Sequence, residues 1–155
     1  MEQSAVIYRD LDRILVTKEE IAQRVRELGK KITADYAGKA PVLVCILKGA
    51  AIFFSDLIRE IDLPVTAEFM AISSYGSATK TSGVVRVLKD LAKDILDKDV
   101  ILVEDIVDTG VTLSYLKSML IHRGAASIRI ATLLDKTARR TVKDLKVDYV
   151  CFDIP

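Results

Sequence analysis

The sequence predicts an α/β fold: an open, mostly parallel twisted sheet with helices on both faces. Three observations predict it. Strand-like apolar runs alternate with helical patterns along the chain. Two of those runs, Val42-Leu43-Val44-Cys45-Ile46-Leu47 and Val100-Ile101-Leu102-Val103, are apolar at every position, as strands covered on both faces are. Both end in polar, Gly-containing turns that open helices, and open sheets of this kind keep their ligands beyond such strand ends.

Each element has a local cause. Thr17 followed three residues later by Glu20 is a capping-box pattern, and Ile21, Val25, Leu28 and Ile32 recur at helical spacing, so an amphipathic helix of about 20 residues starts there. Gly38 and Pro41 separate it from the first buried strand, which Lys48-Gly49 closes, and residues 50–61 read as the next helix. Residues 66–73 alternate in part and read as a strand. Residues 74–83 are small, polar and Gly-flanked and read as a long mobile loop, with residues 84–88 as its returning strand. Residues 100–104 form the second buried strand, 113–123 a helix stopped by Gly124, and 127–134 a further strand. A short helix over 139–144 and a last strand over 148–152 complete the chain.

A chain of 155 residues suits one domain that buries roughly two-thirds of its unfolded surface. With 29% charged residues and a net charge of +1, it offers no electrostatic case for nucleic acid or for an acidic membrane surface, so small-molecule partners are expected. Met1-Glu2-Gln3-Ser4 starts no basic-then-apolar leader and no apolar run reaches membrane-span length, so the expected location is cytoplasmic. Cys45 and Cys151 sit inside apolar runs and read as packing residues. His122, the single histidine, lies near a helix end where its charge suits the dipole, and a zinc site is not expected.

The chemistry concentrates in Val100-Ile101-Leu102-Val103-Glu104-Asp105-Ile106-Val107-Asp108-Thr109-Gly110-Val111-Thr112. A Gly-containing turn at a helix N-terminus offers unpaired backbone N–H groups to a phosphate. Two carboxylates just before it would repel a bare anion, so the ligand must also carry hydroxyls or a metal, which points to a phosphorylated ribose. The run resembles the 13-residue signature of the type I phosphoribosyltransferases, which bind phosphoribosyl pyrophosphate (PRPP). The resemblance implies that fold. It also implies that Asp108, Thr109, Gly110, Val111 and Thr112 hold the 5′-phosphate, and that Glu104 and Asp105 take the ribose hydroxyls with Mg2+ nearby.

Other motifs resemble the hypoxanthine-guanine (6-oxopurine) branch of that family. Leu47-Lys48-Gly49 is similar to its pyrophosphate loop, which adopts a non-proline cis peptide, and Ser74-Tyr75 to the start of its catalytic lid, with Tyr75 closing over the pyrophosphate. A lid has a purpose, because water reaching C1 of a ribosyl cation would hydrolyse PRPP. Lys136 matches the lysine that donates to the purine O6, Arg140 an arginine that contacts pyrophosphate, and Asp108 the general base for the N7 proton. An ammonium donates but never accepts, so a 6-oxo group is welcomed and a 6-amino group is not.

The resemblance therefore implies transfer of the phosphoribosyl group from PRPP to hypoxanthine or guanine, giving IMP or GMP and pyrophosphate in purine salvage, by a homodimer or homotetramer. The expected organisation is a single domain, residues 1–155, without the branch's C-terminal purine-binding tail. The alternatives are a PRPP-binding regulator, which would call for a basic face, and an inactive truncated form.

Overall fold

The structure is a computed structural model that describes residues 8–9, 11–74 and 85–155. In chain order the elements are α1 (Lys18–Asp35), β1 (Val42–Leu47), α2 (Ala51–Ile58), β2 (Thr66–Ser74), β3 (Val85–Lys89), β4 (Asp99–Val107), α3 (Val111–His122), β5 (Ser127–Asp135), a 3-10 turn (Thr137–Arg139) and β6 (Tyr149–Asp153). One six-stranded sheet runs β3-β2-β1-β4-β5-β6, parallel throughout except for the antiparallel β2–β3 pair at one edge. The predicted α/β sheet is the observed one.

The buried strands divide their side chains between two cores, because successive residues of a strand point to opposite faces. Leu43, Cys45, Ile101, Val103 and Ala131 face α1 and α2, meeting Val25, Leu28 and Ile32 from the first helix and Phe53, Phe54 and Leu57 from the second. Val42, Val44, Ile46, Val100, Leu102 and Ile130 face the other way and pack on Leu113, Leu116 and Leu120 of α3. Each buried Val, Leu, Ile or Phe among them stabilises the fold by about 1.5–3 kcal/mol relative to exposure. This two-sided demand is why neither β1 nor the 100–103 stretch of β4 contains a polar residue.

Connections then place the site. The chain leaves β1 through α2 toward β2, on one side, and leaves β4 through α3 toward β5, on the other. The adjacent C-terminal tips of β1 and β4 are therefore the point where strand order reverses, and a crevice opens there.

Local expectations hold or shift for identifiable reasons. The Thr17–Glu20 capping box forms in both directions, at 3.1 and 2.8 Å. The second helix is shorter than expected, ending at Ile58. β4 continues through the two carboxylates to Val107, because Glu104, Ile106 and Val107 keep their ladder partners Thr132, Leu134 and Asp135 on β5. No helix forms over 139–144. The Thr141 and Val142 amides donate instead to the Thr109 carbonyl, at 3.0 and 3.2 Å. The expected loop over 74–83 lies outside the described residues except for the Ser74 backbone, which ends β2.

Candidate active site

Two turns meet at the β1–β4 crevice. After β1, the Leu47–Lys48 peptide is cis, as the Leu-Lys-Gly resemblance implies, and Lys48 and Gly49 are exposed. Gly49 lies directly against β4: a Cβ there would stand 2.5 Å from Asp105 Oδ2. After β4, the chain turns through Asp108 and Thr109 to Gly110, whose φ of +88° only glycine adopts without strain. Gly110 is the N-cap of α3 and brings no side chain to its first amides, of which Val111's donates at 3.4 Å to the Thr109 hydroxyl. A cleft of about 190 Å³ sits there, lined by Glu104, Asp108, Thr109, Gly110 and Thr112.

The two carboxylates differ. Glu104 is largely buried at the strand tip, and desolvation, reinforced by the neighbouring Asp105 side chain, pushes its carboxyl up to about 8. The Asp105 amide donates to Glu104 Oε1 at 3.1 Å, and the Ile106 amide donates to Asp105 Oδ1 at 2.8 Å. Among the described residues no group of three or more His, Cys, Asp or Glu side chains is arranged to hold a metal. Two adjacent carboxylates are nonetheless what Mg2+ uses, since it is bound by one or two of them and completes its shell from water and substrate oxygens. The donor set fits that ion.

On the side of the turn away from β1, residues 135–142 wrap the phosphate-type loop. The Lys136 amide donates to the Val107 carbonyl at 2.9 Å, which fixes half-buried Lys136 at the tip of β5. Asp108 accepts from Arg139 Nε at 2.6 Å, both side chains being about half-exposed. Arg140, the residue expected at the pyrophosphate, pairs with Asp135 and donates from Nε to the Asp108 carbonyl at 3.1 Å. The reason is Asp135, a carboxylate buried at a strand end, whose carboxyl burial pushes up and whose demand for a counter-charge Arg140 meets.

The structure thus brings together Leu47, Lys48 and Gly49, Glu104 and Asp105, Asp108 to Thr112, and Lys136. The expectation for Tyr75 lies outside the described residues, and of Ser74 only the backbone is described. Sequence reading missed Asp135 and Arg139, whose signal is a carboxylate ending an apolar strand four residues before an Arg-Arg pair. It also missed Ile106, which lies between the cleft and an apolar cavity of about 480 Å³ bounded by Gly49, Phe53, Leu133 and Leu134. Roomier grooves of about 530 and 610 Å³ run along the segment preceding α1, but none of the crevice carboxylates lines them. Both cysteines are free and buried, with thiols pushed up to about 11 by burial, in keeping with packing roles. Among the described residues no helix is long and apolar enough to cross a membrane.

Comparison with known proteins agrees with this fold. Residues 13–155 match the family model described as a phosphoribosyl transferase domain. The chain is 49% identical over 150 residues to a hypoxanthine-guanine phosphoribosyltransferase of Streptococcus thermophilus, and 47% identical to one of Streptococcus agalactiae. Each alignment covers 97% of this chain and 83% of the relative. A crystal structure of a Staphylococcus aureus hypoxanthine phosphoribosyltransferase superposes with a TM-score of 0.92 at 45% identity, over 97% of this chain and 81% of that one.

Proposed function

The chain belongs to the phosphoribosyl transferase family, and from that premise we propose how its crevice carries out 6-oxopurine phosphoribosyl transfer. The protein is a hypoxanthine-guanine-type phosphoribosyltransferase of purine salvage: PRPP and a 6-oxopurine become a nucleoside monophosphate and pyrophosphate. The observation that carries the residue-level reading is the contact between Gly49 and Asp105, which puts a strand-end lysine turn and a strand-end carboxylate pair in one crevice.

In this reading the amides of the 108–112 turn and the hydroxyls of Thr109 and Thr112 hold the 5′-phosphate at the free end of α3. Glu104 and Asp105 accept from the ribose hydroxyls and would hold Mg2+, which supplies neutralisation of the pyrophosphate charge when bound. Lys48 and the backbone at Gly49 meet the pyrophosphate, with Ser74 and Tyr75 assigned to the same end by resemblance. Ile106 gives the purine an apolar surface beside the phosphate cleft. Lys136 donates to the purine O6, and the Asp108 carboxylate takes the N7 proton once Arg139 gives it up. Catalysis then comes mainly from positioning and from carboxylates set near a cation-like ribose. We place the reaction in the cytoplasm and in a homodimer or homotetramer.

The test is nucleotide formation from PRPP with hypoxanthine, guanine, xanthine and adenine, together with calorimetric titration of PRPP with and without magnesium. Turnover with the oxopurines and not with adenine is expected. PRPP binding without turnover would instead make the protein a PRPP-binding regulator or an inactive form.

A further inference from the structure

We propose that Asp135 and Arg140 are a positioning pair that sets the 108–110 turn in the shape that receives a 5′-phosphate, and that Arg140 does not contact pyrophosphate. The proposal rests on the assignment of that turn to the 5′-phosphate, and deepens it.

Three successive carbonyls of the turn are pinned on one side. Val107 accepts from the Lys136 amide at 2.9 Å, Asp108 from Arg140 Nε at 3.1 Å, and Thr109 from the Thr141 and Val142 amides at 3.0 and 3.2 Å. In a trans peptide the carbonyl of one residue and the N–H of the next share a plane and point in opposite directions. Fixing those three oxygens toward residues 136–142 therefore aims the N–H groups of Asp108, Thr109 and Gly110 the other way. That is the side of the cleft lined by Glu104, Asp108 and Thr112. Three consecutive amides pointing into one concavity make an anion seat.

Of the three pinned carbonyls, two are held by backbone amides, that of Thr109 with the Thr141 hydroxyl besides, whereas that of Asp108 is held by a side chain alone. The middle of the turn thus depends on Arg140. Its side chain is 10% exposed and that of Asp135 6%, so the pair is enclosed, and Asp135 fixes the guanidinium from the far side. The arginine stem lies flat on Gly110: a Cβ there would stand 2.9 Å from Arg140 Cδ and 2.8 Å from Leu145 Cδ2. Because Asp135 balances its charge, Arg140 shapes the seat without adding net charge to it.

The experiment measures binding of ribose 5-phosphate, and separately of pyrophosphate with magnesium, to the wild-type protein and to R140Q, R140K, D135N and T112A. R140Q is expected to weaken ribose 5-phosphate about tenfold, the loss of one hydrogen bond that orders a charged site, while pyrophosphate binds as before. R140K recovers part of the affinity, and D135N, which touches no ligand in either scheme, changes binding in the same direction as R140Q. In turnover, the PRPP KM rises and the purine KM at saturating PRPP does not. Weakened pyrophosphate with unchanged ribose 5-phosphate in R140Q would overturn the proposal. If T112A weakens ribose 5-phosphate while R140Q and D135N bind it normally, the positioning pair alone is refuted. If T112A has no effect, the phosphate seat itself is misplaced and the proposal falls with it. Should R140Q not fold, R140K and D135N decide the question.

Discussion

Gly49 and Asp105 face each other across the β1–β4 gap at a distance that admits only a hydrogen: a Cβ on Gly49 would lie 2.5 Å from Asp105 Oδ2 and 2.9 Å from its Cγ. Gly49→Ala therefore displaces something, and the carboxylate, at the end of a short side chain, yields before either strand does. Its rotation breaks the hydrogen bond from the Ile106 amide, a loss of about 1 kcal/mol, or a drop of about 2–4 °C in melting temperature for a domain of this size. Activity suffers more than stability, because the displaced group is a proposed ligand of the ribose. kcat/KM for PRPP is expected to fall by about tenfold or more, the loss of one charge-assisted hydrogen bond. A melting scan and steady-state kinetics on one preparation check both, and intact kcat/KM would remove Asp105 from the site.

Glu104 makes stability depend on pH in an unusual direction. Burial raises its carboxyl from the ordinary 4.5 to about 8 in the folded protein, whereas the unfolded chain titrates near 4.5. Between those values the folded state holds a proton that the unfolded state has released, so stability declines as pH rises through the window, by on the order of a few kcal/mol. Glu104→Gln stays neutral throughout. The substituted protein is expected to match the wild type near pH 4 and to exceed it at pH 8 in urea denaturation. A wild type that gains on E104Q as pH rises would show that the carboxyl is not desolvated.

The strands were legible because their burial is written in composition. β1 and residues 100–103 of β4 have two cores to fill and contain only apolar residues, and the carboxylate pair stands out against them. The Gly110 turn was legible because it is local. What sequence could not supply were features decided by partners far along the chain. β4 runs past its carboxylates because β5 pairs with it there. The stretch after Lys136 has helical composition, yet Thr141 and Val142 give their amides to Thr109, 32 residues away for the first of them. Arg140 looks like a solvated cation until Asp135 and the Asp108 carbonyl are brought to it by the fold. The Ser74-Tyr75 expectation was carried by resemblance alone.

Lys136 sets up a specificity test. Its backbone is tied to Val107, so substituting the side chain leaves the loop in place. Gln offers both a donor and an acceptor where Lys offers only donors, which removes the penalty against a 6-amino group. Lys136→Gln is expected to lower kcat/KM for hypoxanthine, to raise it for adenine, and to shift their ratio by about tenfold to a hundredfold. The PRPP KM is expected to stay within error. A ratio equal to that of the wild type would place the purine O6 away from Lys136.

Asp108 and Arg139 give the sharpest separation of binding from chemistry. Their ion pair is 2.6 Å long but half-exposed, and such pairs contribute about 0–1 kcal/mol, so a ligand can open it readily. Arg139→Ala is accordingly expected to change stability by less than about 1 kcal/mol. Asp108→Asn keeps the backbone amide and carbonyl that shape the phosphate seat and removes only the carboxylate's ability to take a proton. Turnover is expected to drop by about a hundredfold to ten-thousandfold, the usual contribution of a positioned base, while calorimetry shows PRPP binding retained. If turnover is unchanged, Asp108 carries no proton. If PRPP binding is lost along with turnover, the carboxylate serves the ribose phosphate itself, and the proton acceptor must be sought among the other groups at the tips of β4 and β5.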